Sequence, residues 1–205
     1  MDGFLALARL AALATAIGSA LALGGLLIYN LARPGFRFWP APESAGWRHR
    51  VSFGLFRVFC GATVVFALFD VAPLEVGGWG RWLFGLPLTV LAFGATLWGY
   101  RFLGIDNTYC EADGLVTTGL YACSRNPQYV FSVAATVGLG LAAASAETVG
   151  LAGVLFLLYF LFALNEERWL KDGYGAAFLS YMQETPRFLD ERSLQRARHA
   201  LSARR

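Results

Sequence analysis

Five apolar stretches divide this chain of 205 residues, over 4–30, 51–70, 81–103, 129–146 and 148–165. Each approaches or exceeds the ~20 mostly apolar residues that a helix needs to cross hydrocarbon. The fourth and fifth are parted only around "ASAE", which predicts a tight helical hairpin. The pattern predicts an all-α integral membrane protein with about five transmembrane helices, a C-terminal helical hairpin and an amphipathic tail helix. The first stretch also admits a signal-peptide reading. However, it opens "MDGF" without a basic segment and exceeds the ~7–15-residue apolar core of such signals.

Composition supports the membrane reading. Only 15% of residues are charged and 57% are hydrophobic, with mean hydropathy +0.50. A soluble domain carries about a quarter charged residues. No second domain of any size fits, so residues 1–205 are expected to form a single membrane domain, with three spans within 1–104. Cys60, Cys110 and Cys123 have neither metal-ligand spacing nor an even count to pair, so free thiols and no metal are expected. Nothing points to a nucleic-acid partner.

Charge then orients the spans. Fourteen of the seventeen basic residues fall in alternate loops: 31–50, 101–128, and the tail from Glu166, including its basic end at 191–205. Basic loops stay in the cytoplasm, so the N-terminus is expected outside and the C-terminus inside. Lys171 is the only lysine among many arginines, and Ala, Gly and Leu abound. That composition suggests a GC-rich bacterial genome and hence a bacterial inner (cytoplasmic) membrane.

The polar residues gather in two segments on that side, "DNTYCEADGLVTTGLYACSRNPQYV" before the fourth span and "LNEERWLKDGYGAAFLSYMQETPRFL" after the fifth. The short hairpin forces the two segments together. It brings Arg125, Asn126 and Tyr129 towards Asn165, Glu166 and Glu167. Arg125-Asn126-Pro127 reads either as a loop closed by a proline at the first helical position, with the arginine reaching headgroups, or as an anion site at a helix N-terminus. Glu166 and Glu167 point about 100° apart on a helix, so one is expected to face the bundle and the other water. Tyr174, Phe178 and Tyr181 form one apolar helical face. A helix with such a face lies on the membrane surface or folds back over the site as a lid.

Together, "GLYACSRNPQY", "NEERWL" and "YGAAFLSYMQETPRFL" resemble the isoprenylcysteine carboxyl methyltransferase and phospholipid methyltransferase superfamily. Gly119, Tyr121, Arg125, Pro127 and Tyr129 match its first block, and Glu166 and Glu167 its second. Tyr174, Gly175, Phe178, Tyr181, Pro186, Arg187 and Phe188 match or conservatively replace its third. The resemblance implies transfer of a methyl group from S-adenosylmethionine at the cytoplasmic membrane face, with residues 105–190 as the cofactor-binding core. It places the cofactor between Leu115, Val116, Gly119, Tyr121, Arg125, Asn126, Pro127 and Tyr129 on one side and Asn165, Glu166, Glu167 and Tyr181 on the other. Arg125 and Glu166 are the expected catalytic pair. Leu158, Tyr159 and Phe162, on the face of the fifth span that leads to Glu166, are the expected path for a lipophilic or small membrane-permeant acceptor (a lipid amine, hydroxyl, thiol or carboxylate), with membrane lipid as a further partner. Two positions depart from the family pattern: Asn126 stands where the family has histidine, and Phe162 where prenylcysteine enzymes carry arginine. The first removes a titrating group; the second argues against a free carboxylate on the substrate. Competing readings are an NADPH-dependent membrane reductase of the sterol-reductase type and a non-enzymatic membrane accessory protein.

Overall fold

The computed structural model describes residues 2–43, 46–73, 76, 78–103, 114–193 and 196. Expectations that fall elsewhere, Cys110 and most of the basic tail among them, lie outside the described residues. The helices are α1 (Asp2–Ala32), α2 (Trp47–Phe69), α3 (Gly80–Leu103), α4 (Pro127–Ala143) and α5 (Ala146–Glu184), with 3₁₀ turns at Pro34–Phe36 and Gly119–Ala122. No strand occurs among the described residues. The protein is therefore an all-α integral membrane protein.

Four of these helices, α1, α2, α3 and α5, are long and apolar enough to cross a membrane. The fourth expected span, 129–146, is shorter than a typical crossing helix. It is realised as the 17 residues of α4, about 26 Å at 1.5 Å per residue against a hydrocarbon core of about 30 Å. Its ends explain the shift. Pro127 occupies the first turn, where its missing N–H costs nothing. At the other end Ala144 is left-handed (φ 52) and its N–H closes on Gly140 and Leu141 carbonyls. Ser145 then caps α5, its hydroxyl accepting from Thr148 N at 3.0 Å. Two residues thus make the antiparallel hairpin that the sequence predicts.

Helix α5 runs past the expected end of the fifth span and breaks only at Gly175 (φ 50, ψ −124). That left-handed conformation favours glycine. Beyond it the tail helix turns back onto the protein. Phe178 and Tyr181 are buried, and Tyr181 donates to the Tyr121 carbonyl at 2.6 Å. The apolar tail face thus packs on the 3₁₀ turn rather than on a membrane surface.

Packing divides the bundle in two. α3 packs most extensively on α4 and α1 on α2, and α5 joins both pairs. The stripe Ala12, Ala16, Ala20, Leu23 and Leu27 of α1 is buried in one core with Phe59 and Phe66 of α2 and Leu151, Leu155 and Leu158 of α5. Large apolar residues such as Leu83, Phe84, Leu91 and Phe93 remain exposed on α3, as a lipid-facing surface requires. At one end of the bundle Arg9 pairs with Asp70, Ala72 N donates to Ala143 O, and Arg81 donates to Ala72 O at 2.7 Å. The opposite end gathers the close of α1, the α1–α2 loop, the start of α4 and Glu166.

Candidate active site

The site begins with the turn that precedes α4. Gly119 is left-handed (φ 62), which tightens the chain into the 3₁₀ turn and sets Tyr121 inward, buried. Ser124 then accepts from Asn126 N at 3.1 Å, and Pro127 starts the helix. This fixes Arg125, Asn126, Gln128 and Tyr129 on one wall of a cavity. The other wall is Tyr159, Phe162 and Glu166 of α5, closed by Trp39 of the α1–α2 loop, Phe53 and Phe56 of α2, and Tyr100 of α3. Its empty volume is about 750 Å³, part of it open to solvent.

The two glutamates have separate partners, and neither simply faces water. Glu166 turns to the cavity. Its Oε1 accepts from the Tyr129 hydroxyl at 2.6 Å and from Trp39 Nε1 at 3.0 Å. Glu167 turns to two arginines. It accepts from Arg125 Nη2 at 2.7 Å and from Arg187 Nε and Nη2 at 2.7 and 2.8 Å. Arg125 Nη1 donates further to the Met182 and Thr185 carbonyls at 3.1 and 2.6 Å. Arg125 N bonds Pro186 O, and the Asn126 amide bonds Arg187 O at 3.0 Å. The "SRNP" segment is thus a clasp for the end of the tail helix. Arg187 is held more firmly protonated than usual by its bond to Glu167.

The expected site residues fall into distinct groups. Tyr121, Arg125, Asn126, Tyr129 and Glu166 line the cavity, as do Tyr159 and Phe162 of the expected acceptor path. Pro127 is buried beneath them. Glu167 and Tyr181 act behind the wall, on Arg125 and on the Tyr121 backbone. Asn165 bonds Asn30 and the Leu27 and Leu161 carbonyls. Leu115, Val116 and Gly119 are not in the lining, and Leu158 packs towards Gly24 of α1 rather than into the cavity. Sequence reasoning passed over Trp39, Phe53, Phe56, Tyr100 and Gln128. Only Gln128 carried a local signal, a polar residue one step inside an apolar helix.

Three buried donors around this cavity have no partner among the described residues: the Tyr121 hydroxyl, Arg125 Nε and Gln128 Nε2. Buried polar groups are normally paired. Arg48 Nε and Arg81 Nε and Nη1 are also unpaired among the described residues, away from the cavity. What distinguishes this wall is that three such donors share one cavity able to hold a ligand that accepts hydrogen bonds. Burial, with the Glu166 charge adding, pushes the Tyr121 phenol well above its ordinary range, so it stays a donor. Across from them stands one carboxylate ringed by aromatic side chains.

A second cavity lies deeper in the bundle, with about 820 Å³ of empty space, among α2, α3, α4 and α5. It shares Phe56, Tyr100 and Tyr159 with the first. Its hydroxyl groups ask little of an occupant. Thr63, Thr89, Thr96 and Thr136 each bond a carbonyl one turn back on their own helix, so the space is apolar in effect. Among the described residues no group of three or more His, Cys, Asp or Glu is placed to hold a metal ion.

A sequence model described as phospholipid methyltransferase matches residues 81–177. The cobalt-zinc-cadmium resistance protein CzcN of Cupriavidus metallidurans is 30% identical over 152 residues, covering 73% of this chain and 67% of that protein. The nickel-cobalt-cadmium resistance protein NccN of Alcaligenes xylosoxydans xylosoxydans is 29% identical over 164 residues, 77% of this chain and 73% of that one. No solved structure matches.

Proposed function

As the chain belongs to the phospholipid methyltransferase family, we propose that it is an S-adenosylmethionine-dependent methyltransferase. It acts at the arginine-rich, cytoplasmic face of a bacterial inner membrane on a lipophilic or small membrane-permeant acceptor. The observation that carries this reading is the set of three unpaired donors facing Glu166 across one cavity. The cofactor's amino-acid end carries both charges such a site would meet. Tyr121, Arg125 and Gln128 would donate to its carboxylate or ribose oxygens, and Glu166 would accept from its ammonium. When bound, the cofactor supplies a methyl group activated by its sulfonium. The protein's part is to align and to exclude water. The rings of Trp39, Phe53, Tyr129, Tyr159 and Phe162 would limit water in the chamber, and the clasp at Arg125 holds the end of the tail helix.

The acceptor would arrive through the second cavity. Along α3 its lining runs from Thr89 to Tyr100, about 16 Å at 1.5 Å per residue, or roughly half of a 30 Å hydrocarbon core. A hydrocarbon body from one leaflet would lie there with its reactive head at the ring of Phe56, Tyr100 and Tyr159.

Calorimetry on the protein in detergent tests the reading. S-adenosylhomocysteine is expected to bind and NADPH not. Glu166→Ala is expected to weaken that binding about 10- to 100-fold, the loss of a charge-assisted hydrogen bond. NADPH binding in place of S-adenosylhomocysteine would favour the reductase reading, and binding of neither a non-enzymatic role. Thr136→Arg, at a residue that lines the second cavity but not the first, should abolish labelled methyl transfer into a lipid extract while leaving S-adenosylhomocysteine affinity within about twofold, since the cofactor enters from water. A charge there costs about 2.5–3.5 kcal/mol of insertion, so folded yield is measured first. Undiminished methylation by the folded variant would argue for a water-borne acceptor.

A further inference from the structure

Glu166 is held from an unexpected quarter, the loop between α1 and α2. Trp39 is buried there, its ring edge-on to Phe53 (5.4 Å) and to Phe162 (5.0 Å). Its Nε1 donates to Glu166 Oε1 at 3.0 Å. The loop is pinned at its root by an asparagine pair. Asn30 Nδ2 donates to Trp39 O at 2.8 Å and to Asn165 Oδ1 at 2.6 Å, while its Oδ1 accepts from Phe38 N at 2.7 Å. Asn165 uses its own amide protons on the Leu161 and Leu27 carbonyls. Both asparagines are buried, and both side-chain amides have all their protons placed. Asn165 and Glu166 are neighbours on α5, about 100° apart around it. One holds the root of the loop and the other receives its tip.

The effect on Glu166 is directional. Both of its donors, Trp39 and Tyr129, go to Oε1, and Oε2 receives none among the described residues. We propose that Trp39 is a positioning residue: it commits one Glu166 oxygen to the protein so that the other is presented, in one orientation, to a cationic group of the ligand. Recognition of an ammonium at Glu166 then depends on α1 and on a loop that lies outside the matched residues 81–177. The surroundings suit this task. A carboxylate free to rotate would spread its charge over two directions, whereas a fixed one beside a cavity lined by aromatic side chains favours a cation at one place, by charge. The proposal rests on the reading of Glu166 as a ligand-binding carboxylate.

Trp39→Phe tests it, because the substitution removes the N–H and keeps a ring against Phe53 and Phe162. Two ligands separate positioning from packing: S-adenosylhomocysteine, which carries the ammonium, and 5′-methylthioadenosine, which lacks the amino-acid end. The variant is expected to bind the first about tenfold more weakly, as for loss of a hydrogen bond to a charged group, and the second within about twofold of wild type. Asn30→Ala, which retains the Trp39 side chain but releases its loop, should show the same selective loss. Infrared difference spectra supply a readout that needs no ligand. The carboxyl stretching band that disappears in Glu166→Gln should move in Trp39→Phe, because one oxygen has lost a donor. Equal weakening of both ligands, or an unmoved band, would overturn the proposal and leave Trp39 a packing residue. If wild type binds neither ligand, the methyltransferase reading fails, and the infrared band alone still decides whether Trp39 sets Glu166.

Discussion

Glu167→Ala is expected to destabilise the protein by about 3 kcal/mol or more, the cost of stranding a buried charge when its partner is removed. Glu167 is the one carboxylate that Arg125 and Arg187 share. Arg125 is the deeper of the two, its side chain 9% exposed against 29% for Arg187, so it bears most of the loss. Its remaining bonds run to the Met182 and Thr185 carbonyls, and these cannot neutralise it. The tail helix should loosen before the bundle does, since Arg125 and Asn126 hold its end. Limited proteolysis is therefore expected to cut the variant between residues 176 and 193 where wild type resists, and the thermal midpoint should fall. Conversely, Glu167→Gln keeps a hydrogen-bonding partner and is expected to lose less. A Glu167→Ala protein with wild-type midpoint and a protected tail would show that the triad is not the clasp.

Gly85→Val and Gly138→Val are expected to separate α3 from α4 and to abolish folding or lower its yield severely. A Cβ on Gly85 would stand 2.4 Å from Ala142 N and 2.8 Å from Gly138 O. One on Gly138 would stand 2.7 Å from Thr89 N and 2.9 Å from Gly85 O. These neighbours are backbone, so no rotamer change relieves them, and the cost exceeds the ~1–3 kcal/mol of ordinary overpacking. Between membrane helices such close approach is the main source of association. Gly94→Ala is the control. It lies on the same helix with nothing within 4 Å of its would-be Cβ, and should be neutral or gain up to about 1 kcal/mol of helix propensity. Detergent-solubilised yield and thermal midpoints of the variants measure the contrast. Equal behaviour of Gly85→Val and Gly94→Ala would mean that the α3–α4 crossing is not as close as described.

Hydrophobic runs long enough to span, a two-residue hairpin and a proline at a helix start are local properties, and residues 148–165 or Pro127 announce them without a partner. The convergence of Arg125, Tyr129 and Glu166 on one site was legible for the same reason, because a short hairpin leaves the flanking segments nowhere else to go. The direction of each side chain was not. Sequence spacing puts Glu166 and Glu167 about 100° apart, but the tertiary structure decided that Glu167 meets two arginines and Glu166 meets Trp39 and Tyr129. Likewise the spacing grouped Leu158 with Tyr159 and Phe162, and only the packing of α1, with Gly24 open towards Leu158, turned Leu158 away from the cavity. Trp39 lies 127 residues from Glu166, and Tyr100 and Phe56 come from other helices. Nothing local marks them, since an aromatic residue in an apolar run has the same pattern whether it faces lipid, core or ligand. Periodicity and turn chemistry are written in the neighbours of a residue; the choice of which distant helix it faces is made by packing, which a single linear pattern does not contain.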